Sequence, residues 1–387
     1  MAEFFEFLLA YDTLRLIWWL FLGVLLIGFA IMDGFDLGVG ILLPFLGKTD
    51  PERRVLINVI GPTWEGNQVW FILGGGAVFA AYPMVYATAF SGFFIALILT
   101  LFALILRPVG FDYRSKVDHP RWRGFWDWGL FIGAAVPAVV FGVAFGNLLK
   151  GVPFSFDPDL RVTYSGSFWG LLNPFGLLAG VVSLAMLVMQ GAIYLQLKTD
   201  GILQARAAQA AQRSGLLLIA AFALAGCWVA FALDGYSVVA GTVDPAGPSN
   251  PLHKEVVQSS GAWLNNYSTY PWMLAAPVLG FAGAILTVLL ARFGRPGLGF
   301  ISSSLALTGV ILTAGFSMFP FLMPSSSDPN SSLLLWDATS SHLTLQWMFA
   351  VTVFFLPIIL LYTSWVFSKL RGTVTVEGVQ QNTHSLY

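Results

Sequence analysis

The chain has 387 residues, 57% of them hydrophobic and only 10% charged, with a formal net charge of −1. A soluble protein carries roughly 25% charged residues, so a soluble multidomain architecture is excluded. The near-neutral balance and the lack of a basic arm exclude a nucleic-acid partner. A single cysteine, Cys227, rules out an intrachain disulfide or a cysteine metal cluster.

Apolar stretches of about 20 residues recur, while the period-2 alternation of barrel strands is missing. The predicted fold class is an all-α polytopic membrane protein, one integral membrane domain over 1–387 without a soluble domain. The opening Met1-Ala2-Glu3-Phe4-Phe5-Glu6 lacks the basic segment of a cleaved signal peptide, so the first span is expected to be retained. Nine transmembrane helices are predicted, at 14–46, 55–81, 84–107, 126–149, 170–197, 215–235, 271–291, 299–323 and 343–367.

Basic residues set the orientation. Lys48, Arg53 and Arg54 follow span one, Arg107 to Arg123 end or follow span three, and Lys198 to Arg213 follow span five. Arg292 and Arg295 follow span seven, and Lys369 and Arg371 span nine. Together they place 15 of 19 Lys/Arg on one side, against Arg15, Lys150, Arg161 and Lys254 on the other. The positive-inside rule then predicts N-out/C-in. The long outer loops, with turn signals such as Val243-Asp244-Pro245, read as irregular connections.

Asp33 and Asp36 interrupt an apolar run from Leu14 to Leu46. A bare carboxylate in hydrocarbon costs several kcal/mol, so such groups face a protein interior or a wet cavity and mark an ion or proton path. Span two contributes Gly61-Pro62-Thr63-Trp64-Glu65-Gly66-Asn67-Gln68. Pro62 removes a backbone donor and predicts a kink, and the polar Asn67 and Gln68 are expected to face inward. Asp36 lies 12 residues from Lys48, and Glu65 lies 11 beyond Arg54. Both therefore sit roughly 16–18 Å in from the basic flank. Asp33, Asp36 and Glu65 form the candidate proton path; the competing reading makes each a structural group with a fixed partner. Trp64 has two readings, packing against a cofactor or subunit and ordinary core. Arg107 has two as well, pairing with a buried carboxylate and snorkelling to the interface. Trp126-Asp127-Trp128 reads as an interfacial helix start.

Histidines are informative by position. His119, His253 and His384 fall in loops or the tail, and His342 only opens span nine. Haem in a helical bundle needs axial ligands from the interior, and Met186, Met189, Met318 and Met348 read as core filler. No cofactor-binding or metal site is expected in this chain, and no catalytic residue. Any redox chemistry would belong to another chain.

These residues resemble subunit II of the cytochrome bd quinol oxidases almost end to end. The resemblance is carried by Asp33 to Gly40, Trp64 to Trp70, Arg107 to Lys116, Val143 to Leu149, Asn173 to Gly180, Met323 to Ser326, Trp336 to Ser341, and the closing Asn382-Thr383-His384-Ser385-Leu386-Tyr387. It implies a bacterial inner-membrane protein built of two four-helix bundles plus one peripheral helix, paired with a similarly folded subunit I. Subunit I would carry haem b558, haem b595, haem d and the quinol-oxidising loop. The complex would oxidise quinol and reduce O2 to water with cytoplasmic protons, building a proton gradient. The resemblance further implies that the acidic position after the span-two Trp, here Glu65, serves proton uptake; family members carry Asp or Glu there. Members can also hold a structural quinone or lipid in subunit II, and a small single-span accessory subunit can join the complex. A different class of function, a secondary transporter with Asp33, Asp36 and Glu65 as a coupling-ion site, fits the interior carboxylates equally well. The end-to-end resemblance separates the two.

Overall fold

A computed structural model describes residues 6–241 and 244–381. The motif at Asn382–Tyr387, with His384, and the start of the turn at Val243 lie outside the described residues. The chain is mostly helical: α1 (Tyr11–Leu46), α2 (Asp50–Ile60), α3 (Trp64–Ala81), α4 (Pro83–Gly92), α5 (Phe94–Tyr113), α6 (Pro120–Lys150), α7 (Pro174–Lys198), α8 (Gly201–Phe231), α9 (Ala275–Arg292), α10 (Pro296–Met318), α11 (His342–Lys369) and a short α12 (Val376–Gln381).

Among the described residues, eight helical segments are individually long and apolar enough to cross a membrane. A ninth candidate is α3 with α4, bent by 119° between them. At 18 residues α3 is long enough by itself, roughly 27 Å, but Glu65, Asn67 and Gln68 in its first turns dilute its apolar character. The predicted span over 55–81 is thus two helices. Gly61, Pro62 and Thr63 separate α2 from α3, a full break where the sequence predicted a kink, because Pro62 can neither donate nor fit beneath the preceding turn. α2 begins on a reciprocal cap, in which Thr49 Oγ1 accepts from the Glu52 amide and Glu52 accepts from the Thr49 amide. Predicted span three, 84–107, is likewise two helices, α4 and α5, and α5 runs on to Tyr113; span eight stops at Met318, short of 323.

Packing sorts the long helices into two groups. In the first, α3 and α6 lie on α1, and α5 lies on α6. In the second, α7, α8, α9 and α10 pack in sequence, with α10 returning to α7. The groups meet chiefly through α7 against α1 and α6, and α11 packs mainly on α1 and α3, leaving most of its surface exposed. This is the predicted pair of four-helix bundles with a peripheral helix. Gly38 and Gly191 mark the crossing of α1 and α7. A Cβ on Gly38 would collide with Leu187 O and stand 2.9 Å from the Gly191 Cα, so only glycine lets these backbones approach.

At the Arg15 end, three two-stranded antiparallel ladders form between the helices: Phe154–Phe156 with Val162–Tyr164, Asp234–Gly241 with Lys254–Ser260, and Phe321–Met323 with Leu333–Leu334. Beside them lie a fully buried Arg15, bonded to the segment Asp244 to Ser249 and to Thr339, and the buried Lys254–Asp337 ion pair at 2.6 Å.

Candidate functional site

α1 carries Asp33 and Asp36 three positions apart, so they share a face; each is 1% exposed. Arg107 reaches Asp33 from α5 in a forked pair, Nη2 to Oδ1 at 2.9 Å and Nη1 to Oδ2 at 3.3 Å. Of the two readings for Arg107, pairing is what the structure holds. The fork leaves both Asp33 oxygens occupied. Asp36 is held differently: Asn67 Nδ2 of α3 donates to its Oδ2 at 2.8 Å, while Oδ1 accepts no hydrogen bond among the described residues.

Trp64 lies on the same face of α3 as Asn67, three residues earlier. It is buried and stacks on Phe111 of α5, ring centroids 4.9 Å apart, with the Arg107 guanidinium carbon 5.7 Å from its ring centre. The indole thus closes one side of the Arg107 site and packs as core within this chain. Beside the cluster a narrow crevice of about 10 Å³ is lined by Asp36 and Arg107, and by Leu43, Ile57 and Ile60 nearer the basic flank.

Glu65 is turned away. It is exposed, and Val69, Ile72, Gly76 and Phe79 follow it at helical spacing along one exposed stripe of α3. Gln68 is half-buried. The structure therefore gathers Asp33, Asp36, Asn67, Trp64 and Arg107 into one cluster and leaves Glu65 on an outer face of this chain.

Two features escape the sequence reading. Asp127, expected at an interface, is 1% exposed. It binds Arg114 Nε at 2.5 Å and Arg53 Nη1 at 2.7 Å, and Arg114 continues to Asp50 at 2.9 Å. This brace ties α2, α5 and α6 together at the basic end. Its signal was the acidic residue amid many arginines, masked by flanking tryptophans typical of a membrane interface. The second feature is a cavity of about 560 Å³ between the two helix groups, walled by Phe29, Phe71, Phe141, Met186 and Phe222 among others. Its dimensions match ligand-binding cavities generally, but aromatic residues spread over six helices give no linear motif.

The family model described as cytochrome bd terminal oxidase subunit II matches residues 14–370. The chain belongs to that family. It is 58% identical to cytochrome bd-I ubiquinol oxidase subunit 2 of Escherichia coli (strain K12), over 97% of this chain and 99% of the relative. It is also 33% identical to cytochrome bd ubiquinol oxidase subunit 2 of Bacillus subtilis (strain 168), over 94% and 97%. The fold resembles a chain of the bd oxidase from Geobacillus thermodenitrificans with a TM-score of 0.67 at 15% identity, covering 92% of this chain and 98% of that one. As a member of the cytochrome bd subunit II family the chain is a multi-pass protein of the bacterial inner membrane. It is one subunit of an oxidoreductase complex, with subunit I as its partner.

Proposed function

We propose that this chain is the haem-free subunit of a cytochrome bd quinol oxidase, stabilising subunit I and supplying a proton-uptake path from the cytoplasm. In this reading the chain forms one membrane-embedded unit, oriented N-out/C-in. Haems b558, b595 and d sit on subunit I, where they supply the electron transfer from quinol to O2. The described histidines support a haem-free chain. His119 caps the start of α6, His342 opens α11 and bonds Leu9 O at 2.6 Å, and His253 lies in a loop between the outer strands.

The observation that carries the proton path is the cluster itself: one arginine, two carboxylates, and one carboxylate oxygen without a hydrogen bond among the described residues, on a residue that lines a crevice extending toward the basic flank. Asp33 and Arg107 form a fixed counter-charge, and Trp64, Asn67 and Gln68 set the polar end of α3. Glu65 extends the path outward from this chain. A carboxylate on a lipid-facing stripe costs a few kcal/mol, so the Glu65 stripe is read as the face that meets subunit I and hands protons across. The 560 Å³ cavity suits the tail of a structural quinone or a lipid, consistent with its apolar walls. The rival, a secondary transporter, would use the same acids as a coupling-ion site. Near full-length identity of 58% to an oxidase subunit favours the oxidase reading.

The test is Glu65→Gln in the purified complex. It should assemble with its haem spectrum intact and consume oxygen several-fold more slowly, while Glu65→Asp keeps most activity. Wild-type turnover in Glu65→Gln would leave a purely structural subunit.

A further inference from the structure

α11 is a span with little to hold it. Of its described residues Leu345 alone is buried, and from 350 to 365 only Thr352, Leu356 and Thr363 are even half-buried. Pro357 removes a backbone donor in the middle of that run. The outer end is fixed all the same. Trp18 Nε1 of α1 donates to Leu345 O at 3.2 Å, and Phe349 stacks on Phe21 with ring centroids 6.3 Å apart. At the basic end Phe367 meets Phe35 of α1 edge-on, again at 6.3 Å.

Beyond that end the chain folds back onto the molecule. Gly372 turns it with a φ of 111°, a left-handed conformation that suits glycine. Lys198, the last residue of α7, then grips the returning segment in both directions. Its Nζ donates to Leu370 O at 2.6 Å and to Gly372 O at 3.5 Å, and its own carbonyl accepts the Val374 amide at 2.8 Å. Leu370 caps α11, so the ammonium sits where a helix leaves its final carbonyls unpaired and its dipole is negative. Thr375 Oγ1 accepts from the Gly378 amide and opens α12, which lays the buried Val379 against α2. Val374, Val376 and Val379 join the same apolar cluster as Val55, Leu56 and Phe367. On α2, six consecutive residues, 55–60, are buried. A helix hidden on every side needs a cover beyond α1 and α7, and α12 supplies it.

We infer that residues 370–381 form a strap, latched by Lys198, that pins the basic end of α11 to the body of the chain. Two contacts act together, the Lys198 latch at the bend and the Val379 seat on α2. The strap joins α2, α7 and α11, three helices far apart in sequence, and it secures the end of α11 that helix packing leaves loose. It stands on packing and hydrogen bonds alone, independently of the proton path.

Thiol labelling of the purified complex with a charged maleimide tests the latch, in a Cys227→Ser background and read on this chain's band. With Val379→Cys as the probe, labelling should be slow. Lys198→Met should speed it roughly 10- to 100-fold, the effect of losing a hydrogen bond from a charged donor, and Lys198→Arg should keep it slow. With Phe367→Cys as the probe, Lys198→Met and Val379→Asp should each speed labelling several-fold, because undocking the strap frees the end of α11. The inference is overturned if Lys198→Met leaves the Val379→Cys rate unchanged. It is equally overturned if that rate rises while Phe367→Cys is labelled as slowly as before. Should Val379→Asp fail to assemble, Lys198→Met against Lys198→Arg decides both points.

Discussion

The first bundle buries Arg15 at one end and Arg107 deep along its length, and the two are satisfied in opposite ways. Arg15 spends its donors on neutral acceptors: Nε on Thr339 Oγ1, Nη1 on the carbonyls of Asp244 and Pro245, and Nη2 on Gly247 O and Ser249 Oγ. Five donors meet five acceptors, the full capacity of a guanidinium, and the Tyr11 ring covers it at 3.8 Å. Nothing is left over for chemistry, so Arg15 works as a clamp on the outer loop. Arg107 instead faces two carboxylates and satisfies one, leaving Asp36 half-bonded. Residual hydrogen-bonding capacity, more than burial, separates a site from a staple.

Replacing Arg107 should give the largest effect. Arg107→Leu strands Asp33, and breaking a buried pair costs about 3–5 kcal/mol. The yield of assembled complex should fall sharply, and adding Asp33→Asn should restore part of it. Normal yield in the single variant would mean that the fork contributes nothing to assembly.

Arg15→Met should cost less, about 2–3 kcal/mol from bonds to a charged donor. It should loosen the segment around Asp244 to Ser249 to protease while leaving the oxygen turnover of the assembled complex unchanged. A specific loss of turnover without loop cleavage would contradict the clamp.

The Lys254–Asp337 pair offers a sharper version of the same contrast. Burial lowers the Lys254 pKa despite Asp337, and burial raises the Asp337 pKa despite Lys254. Desolvation outweighs attraction for both partners, so pairing here does not repay burial. Lys254→Met alone should destabilise the outer loops, whereas Lys254→Met with Asp337→Leu should recover most of the loss in a thermal melt. A double variant as unstable as the single one would give the pair a net stabilising role.

Glu52 should show the smallest effect. Burial pushes its carboxyl up, but the Lys48 amide, Arg206 and the Thr49 amide outweigh that and leave it below the usual range. A depressed folded-state pKa gives stability that is present above the unfolded value near 4.5 and lost as pH falls through the lower folded value. The melting temperature of Glu52→Gln should therefore sit slightly below wild type at neutral pH and converge with it in acid. Parallel curves across that range would remove Glu52 from the acid response.

Much of this was legible before the structure. Carboxylates in an apolar run announce a buried site, and basic residues after alternate spans order the helices. Depth along a helix follows from its rise, which put Asp36 and Glu65 near the same level. Azimuth does not follow from depth, and that is where the reading fell short. Stepping 100° per residue around α3 puts Trp64 and Asn67 on one side and Glu65 with Val69 and Ile72 on another. Only a packed partner says which side meets α1. The same gap left Arg107 between pairing and snorkelling. Asp127 was hidden for a different reason: its partners Arg53 and Arg114 come from other segments, so nothing local distinguishes a brace from an interfacial acid.

The most direct test of the proton path is the voltage generated when the reduced complex, reconstituted in vesicles, reacts with O2. With Glu65→Gln the haems should still oxidise, while the voltage phase that follows proton uptake slows several-fold. Glu65→Asp should restore its rate. A Glu65→Gln complex whose voltage rises as fast and as far as wild type would contradict proton delivery through this subunit.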